Sequence, residues 1–164
     1  MTGRAADAVN RLPLPAQPYL PGVNARPADD FLAAAGVVIP ARTMAAEAAD
    51  NIGWRYGIRL FNAGCFWEAH EVLEGVWMNA APNSRERHLV AAVIQLANGR
   101  LKQAMGRDRA ASRLAGLAAD HVERAYAGHA GRLMGLDRAD LAGALLRLRD
   151  EGGMTPDDLS PVFE

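Results

Sequence analysis

A single twelve-residue stretch concentrates the ionisable side chains whose spacing suits chemistry. It reads Phe66-Trp67-Glu68-Ala69-His70-Glu71-Val72-Leu73-Glu74-Gly75-Val76-Trp77. His70 and Glu74 are four residues apart, so on a helix their side chains project from the same face. Large apolar residues frame that face, and burying an imidazole and a carboxylate costs free energy unless the groups are paired or hold a ligand. The stretch therefore predicts either a hydrogen-bonded pair or a binding site.

The same spacing indicates a metal site. His70-Glu71-x-x-Glu74 resembles in spacing the H-E-x-x-H motif of zinc proteases, in which the outer residues bind metal and the glutamate after the first histidine is the general base. By this pattern we expect His70 and Glu74 to be ligands of a divalent metal such as zinc, and Glu71 to be the catalytic base. Helices rich in glutamate produce the pattern by chance, and an ion pair between His70 and Glu74 requires no metal. Both interpretations stay open.

The identity of a third metal ligand is left open by the sequence. The candidates are the three remaining histidines, His88, His121 and His129. One of them begins a stripe along the following helix, formed by His88, Ala92, Gln95 and Gly99. The small residues of this stripe would let it approach the motif helix closely. A His88 exposed at the first turn of its helix is the simpler expectation, and His121 suits a satisfied core position equally well.

A polar pocket is the predicted setting of the motif. A buried Gln95 would need a partner such as Glu74 or a bound ligand. We expect this pocket to be lined, besides the ligands, by Glu68, Trp77, Gln95 and His88.

Several other chemistries are excluded by the pattern. Ferritin-like di-iron sites need Glu-x-x-His on two helices, and the chain has none. Cys65 and His70 are five residues apart and would lie on different sides of a helix, which argues against a nucleophilic dyad. Glycine-rich phosphate loops are absent, and a single cysteine permits neither an internal disulfide nor a cysteine-based zinc site.

Composition predicts an ordinary globular domain that does not bind nucleic acid or membranes. The chain has 164 residues, of which 50% are hydrophobic and 23% charged, with a net charge of -1. These values leave no basic surplus that would favour nucleic acid or an anionic membrane. The longest apolar run, residues 31–41, is about half of what a membrane span requires. We expect a cytoplasmic protein, since no secretory signal precedes the domain and the one cysteine suits a reducing compartment.

The elements that must position the motif are helical. Periodicity and capping signals predict helices at about 29–35, 42–62, 65–78, 84–105, 108–127 and 137–150. Five of the nine prolines lie in the first 27 residues, where their spacing favours an extended arm that wraps the body from about Tyr19. The predicted fold is an all-α, single-domain bundle of five to six helices at residues 28–152, with a proline-rich arm at 1–27 and a tail at 153–164.

A longer pattern resembles a known family. It runs Leu60-Phe61-Asn62-x-Gly64-x-Phe66-Trp67-Glu68-Ala69-His70-Glu71-x-x-Glu74-x-x-Trp77 and continues at Val93-Ile94-Gln95. It is similar to the bacterial and archaeal family named domain of unknown function 309, which is marked by H-x-x-x-E-x-x-W, and the resemblance covers about residues 56–125. The resemblance implies an all-helical bundle that binds metal and acts as a metal-dependent hydrolase. The family commonly has L-Q-G-L-I-Q where this chain has Val90-Ala91-Ala92-Val93-Ile94-Gln95, so the first glutamine is missing.

Two functions follow as expectations. The first is a helical protein whose His/Glu pocket binds a divalent metal and hydrolyses a small-molecule substrate. The alternative is a non-catalytic interaction or structural module in which His70 and Glu74 form a buried pair that fixes the helical hairpin. In either case the partners are a small molecule or a protein, and the hairpins are suited to a homodimer.

Overall fold

The chain folds as a bundle of α-helices. The computed structural model describes residues 2–149 and 159–163, and these contain seven helices and no strand. The helices are α1 Thr2–Arg11, α2 Phe31–Ala34, α3 Ile52–Asn62, α4 Phe66–Met78, α5 Arg85–Ala104, α6 Asp108–Tyr126 and α7 Arg138–Arg149. The all-α prediction is therefore confirmed. The predicted tail at 153–164 lies outside the described residues except for 159–163.

Successive helices pack against one another from α3 to α6. Contacts join α3 to α4, α4 to α5 and α5 to α6, while α7 packs on α6 and α5, and α1 packs on α3. None of the described helices is long and apolar enough to cross a membrane. The helices α4 to α6 begin and end within one residue of the predicted bounds, and α7 begins within one residue of its predicted start. For α5 the Ser84 side chain supplies the predicted cap by accepting a hydrogen bond from the Arg87 backbone N–H.

The hairpin of α3 and α4 carries the motif and is closely packed. Gly64, which has a positive φ of 77°, ends α3 and turns the chain into α4. A Cβ atom added at Gly57 of α3 would lie 2.5 Å from Leu73 Cδ2 of α4. Glycine at position 57 is thus what lets the two helices approach at this point, and it fixes α4 against the core.

The start of α3 differs from the prediction. The sequence predicted a helix from about residue 42, whereas α3 begins at Ile52 and a short 3-10 turn occupies Ala45–Glu47. The side chain of buried Asn51 accepts a hydrogen bond from the Trp54 backbone N–H and caps α3. Upstream, the Thr43 hydroxyl donates to the Val76 carbonyl of α4 at 2.8 Å. This tertiary bond to α4 holds residue 43 in an extended bridge, which outweighs local helix propensity.

Residues 2–11 are helical, which the sequence analysis did not predict. Prolines begin only at Pro13, so they restrict the chain after α1 and not within it. Val9 of α1 is 4% exposed and belongs to the core. Arg59 of α3 donates to the carbonyls of Val9 and Leu12 at the end of α1, and the Tyr56 hydroxyl donates to the Pro13 carbonyl. The amino-terminal segment thus contacts the bundle well before Tyr19.

Farther along, the arm packs on the motif helix. The ring of Tyr19 meets the ring of Trp67 edge to face, with centroids 5.1 Å apart, and Phe31 contacts the same indole. At the other end of the chain, the Asn62 side chain exchanges two 2.9 Å hydrogen bonds with the backbone of buried Leu159. Both ends of the described chain are therefore held against the hairpin of α3 and α4.

Candidate functional site

The motif helix α4 divides its charged residues between two faces. Ala69, Val72, Leu73 and Val76 are buried together with Glu68, and they face the core. His70, Glu71 and Glu74 lie on the outer side, with side chains 21%, 32% and 52% exposed. Leu73, which precedes Glu74 in the motif, is fully buried and does not frame these side chains. The candidate site is therefore open to solvent instead of enclosed.

His70 lies between two carboxylates. Its Nε2 is 3.0 Å from Glu74 Oε1, and its Nδ1 is 3.3 Å from Glu71 Oε1. Each of the three residues offers one ligand atom, and these atoms all lie within 4.8 Å of one another. The i,i+4 spacing produces the first contact, as the sequence predicted. The arrangement can hold a cation or can stand as a doubly paired imidazolium.

Glu68 occupies the opposite, buried face of α4. Its side chain is fully buried, and Oε1 accepts a 2.8 Å hydrogen bond from the backbone N–H of Tyr19. Oε2 has no hydrogen-bond partner among the described residues. Burial raises the pKa of Glu68, and the bond from Tyr19 opposes that rise. Glu68 thus ties the arm to α4, and it does not share the solvent-exposed face of His70.

Trp77 and Gln95, which the sequence placed in one pocket with the motif, have separate surroundings in the structure. The Arg87 guanidinium stacks over the Trp77 ring at 3.8 Å from its centroid and donates to the Ala80 carbonyl. Gln95 is half-buried in α5 and, within residues 2–149 and 159–163, makes no hydrogen bond to Glu74. Four residues further along α5, a Cβ atom added at Gly99 would lie 2.6 Å from Leu148 Cδ2 of α7. Gly99, the last residue of the predicted stripe, therefore faces α7.

His88 is paired with His121 and is not part of the motif cluster. The Nδ1 atoms of the two rings, on α5 and α6, are 3.2 Å apart, and their ring planes are tilted by 35°. Burial lowers the pKa of both imidazoles, and the positive charge of Arg124 lowers them further. For His121 the charge of His88 acts in the same direction, while Asp120 opposes it. His129, the last candidate, lies 3.2 Å from the Arg132 carbonyl through its Nε2.

Sequence reasoning missed two partners. It did not connect Tyr19 with Glu68, because a backbone donor 49 residues away leaves no periodic signal. The His88–His121 pair did leave one: the two residues lie 18 before and 15 after Gly106, which turns α5 into α6. In an antiparallel hairpin, residues nearly equidistant from the turn lie opposite each other. That geometry predicts the pairing to within one helical turn.

Comparison with known proteins gives one match. Residues 54–114 match the family model described as Domain of unknown function (DUF309). The matched range contains nearly all of α3, the whole of α4 and α5, and the first residues of α6, and hence His70, Glu71, Glu74 and Trp77. Neither the curated proteins nor the solved structures include a match to this chain.

Proposed function

We propose that this protein, whose residues 54–114 match the DUF309 family model, binds a divalent transition-metal ion with His70 and Glu74 as ligands. The observation that carries the proposal is the 3.0 Å distance between His70 Nε2 and Glu74 Oε1. Two donors that each lie about 2.0–2.1 Å from one ion, at angles of about 90–110°, are about 2.9–3.4 Å apart. This agreement supports a site in which both side chains hold one ion on the same face of α4.

The donor types fit a metal of the zinc, manganese or iron class. Imidazole nitrogen and carboxylate oxygen are both common ligands of these ions. The half-exposed Glu74 side chain leaves the remaining coordination positions to water or substrate. An open site of this kind is typical of catalytic metals, whereas structural zinc sites are closed by four protein ligands.

Glu71 is suited to hold the His70 ring. When the Nδ1–H of His70 donates to Glu71, the Nε2 atom keeps its lone pair and faces Glu74. A carboxylate behind a metal-bound histidine fixes the ring's orientation and raises its basicity. We propose this positioning role for Glu71 beside the sequence-based proposal that it is the base that activates water.

Hydrolysis of a small molecule is the reaction class that we propose for the site. A bound divalent metal supplies a Lewis acid that lowers the pKa of coordinated water. Around it, His70 and Glu74 would hold the ion and Glu71 would orient His70 or accept a proton. A Glu71→Gln variant separates the two roles: positioning predicts metal affinity weaker by about 10–100-fold, and base catalysis alone predicts unchanged affinity.

The competing proposal is a structural pair without metal. His70 with a carboxylate on each ring nitrogen is a stable arrangement when the imidazole is protonated. Since Glu74 is half-exposed, such a pair contributes only about 0.3–0.5 kcal/mol to helix stability. A His70→Ala/Glu74→Ala variant should therefore fold under either proposal, and metal binding is the property that distinguishes them.

The experiment uses full-length protein purified without a histidine tag. We expect metal analysis to find a divalent ion, or the melting temperature to rise on addition of zinc, manganese or nickel. His70→Ala/Glu74→Ala should lose the part of this response that the site supplies, and His129→Ala should keep it as the matched histidine control. A metal-free protein whose melting temperature is unchanged by all three ions would refute the proposal.

A further inference from the structure

We propose that His88 and His121 form a second metal site, which takes a late first-row divalent ion such as Zn²⁺ and bridges α5 and α6. This site is separate from the His70 cluster, because its two ligands lie on α5 and α6 whereas His70 and Glu74 both lie on α4. It does not depend on the proposed function of the α4 motif.

The geometry of the pair carries this proposal. The Nδ1 atoms of His88 and His121 are 3.2 Å apart. This is the separation expected of two nitrogens bound to one zinc ion at about 2.0–2.1 Å with tetrahedral angles. Without an ion, one ring must donate its Nδ1–H to the other, so that nitrogen-to-nitrogen contact holds a single proton. When a cation takes the place of that proton, the donor ring carries its proton at Nε2 instead, so both rings stay neutral and both Nδ1 atoms stay close to their present positions.

One positively charged side chain, Arg124 of α6, acts on both rings. Its charge repels a cation at the pair, so removing it by Arg124→Gln should tighten zinc binding.

Both side chains are half-buried, which leaves room for water at the remaining coordination positions. A ligand from each helix means that the ion binds only when α5 and α6 are packed together. Binding to the folded state alone stabilises it in proportion to the logarithm of ion concentration. The site should therefore act as a zinc-dependent clamp on the α5–α6 hairpin.

The test is a calorimetric titration with Zn²⁺ on the full-length chain. A His70→Ala/Glu74→Ala background removes the α4 site, so any remaining equivalent reports on the second one. We expect this background to bind one zinc ion and to melt at a higher temperature in its presence. Adding His88→Ala or, separately, His121→Asn should abolish that equivalent, whereas adding His129→Ala should leave it intact.

Two results would overturn the proposal. The first is a background protein that binds no zinc. The second is a bound zinc equivalent that remains after His88→Ala. If the His121→Asn variant does not fold, the His88→Ala variant alone provides the test. Because the background lacks the α4 ligands, it tests the His88–His121 site alone, and the α4 site is tested separately by the experiment on the native chain.

Discussion

Glu68 on α4 accepts a 2.8 Å hydrogen bond from the backbone N–H of Tyr19, and this bond ties the amino-terminal arm to the buried side of the motif helix. The carboxylate is fully buried, and its Oε2 has no partner in the described part of the chain. A charged carboxylate in this place is costly because burial removes its water shell. The arm is thus anchored by a group whose ionisation opposes folding.

Replacing Glu68 by glutamine tests that cost through its pH dependence. The pKa of Glu68 is raised above its ordinary value of 4.5, so folding favours the protonated form. The stability that the native chain gains from the protonated Glu68 is present at low pH and is lost as the pH rises through the pKa of Glu68 in the folded state. Glu68→Gln keeps an oxygen to accept the Tyr19 bond and cannot ionise. We expect the stability of the variant relative to the native chain to increase between pH 5 and pH 8, measured by urea unfolding.

The matched control for this measurement is Glu123→Gln, which changes an exposed carboxylate on α6. A relative stability of Glu68→Gln that is the same at both pH values would show that ionisation of Glu68 does not oppose folding.

Cys65 should be unreactive in the folded protein. The residue is 1% exposed, and burial together with the Glu68 charge raises its pKa to about 11. The thiolate is the reactive form, and at pH 8 only about one molecule in a thousand carries it. We expect negligible labelling by a thiol-specific disulfide reagent at pH 8 and one equivalent after unfolding in guanidinium. Rapid labelling of the native protein would contradict the buried position of this residue.

Two helical glycines should respond in opposite directions to alanine. Gly57→Ala would place its Cβ 2.5 Å from Leu73, which is fully buried and has little room to move. We expect a loss of about 1–3 kcal/mol in the free energy of unfolding. Gly116→Ala on α6 meets no atom of neighbouring elements within 4 Å, and it should gain about 0.5–1 kcal/mol from helix propensity. Chemical denaturation of both variants measures this, and a stabilising Gly57→Ala would disprove the close packing of α3 on α4.

Local signals were sufficient to predict most of the helices. The Ser84 cap and Gly106 at the end of α5 are short-range features of the sequence, and the structure uses both. By contrast, the extended path of the chain before α3 depends on the hydrogen bond from Thr43 to Val76, which joins residues 33 apart, while the Asn51 cap at the start of α3 is a local signal that the prediction passed over. Such a contact depends on the packed fold, so propensity alone extended the helix too far.

In the candidate site, too, contacts within one helix could be predicted from the sequence, and contacts between elements could not. The i,i+4 rule predicted the contact of His70 with Glu74, because one helix determines it. Exposure was harder to predict, since it depends on which side of α4 the hairpin and the arm cover. Glu68 was grouped with His70, yet its burial under Tyr19 places it on the other face.

The most direct measurement of the central proposal is the anomalous difference density of crystals of the native chain soaked in zinc. We predict a peak about 2.0–2.1 Å from both His70 Nε2 and a Glu74 carboxylate oxygen. Zinc bound only at other places, or no peak at all beside these two side chains, would contradict a metal site on α4.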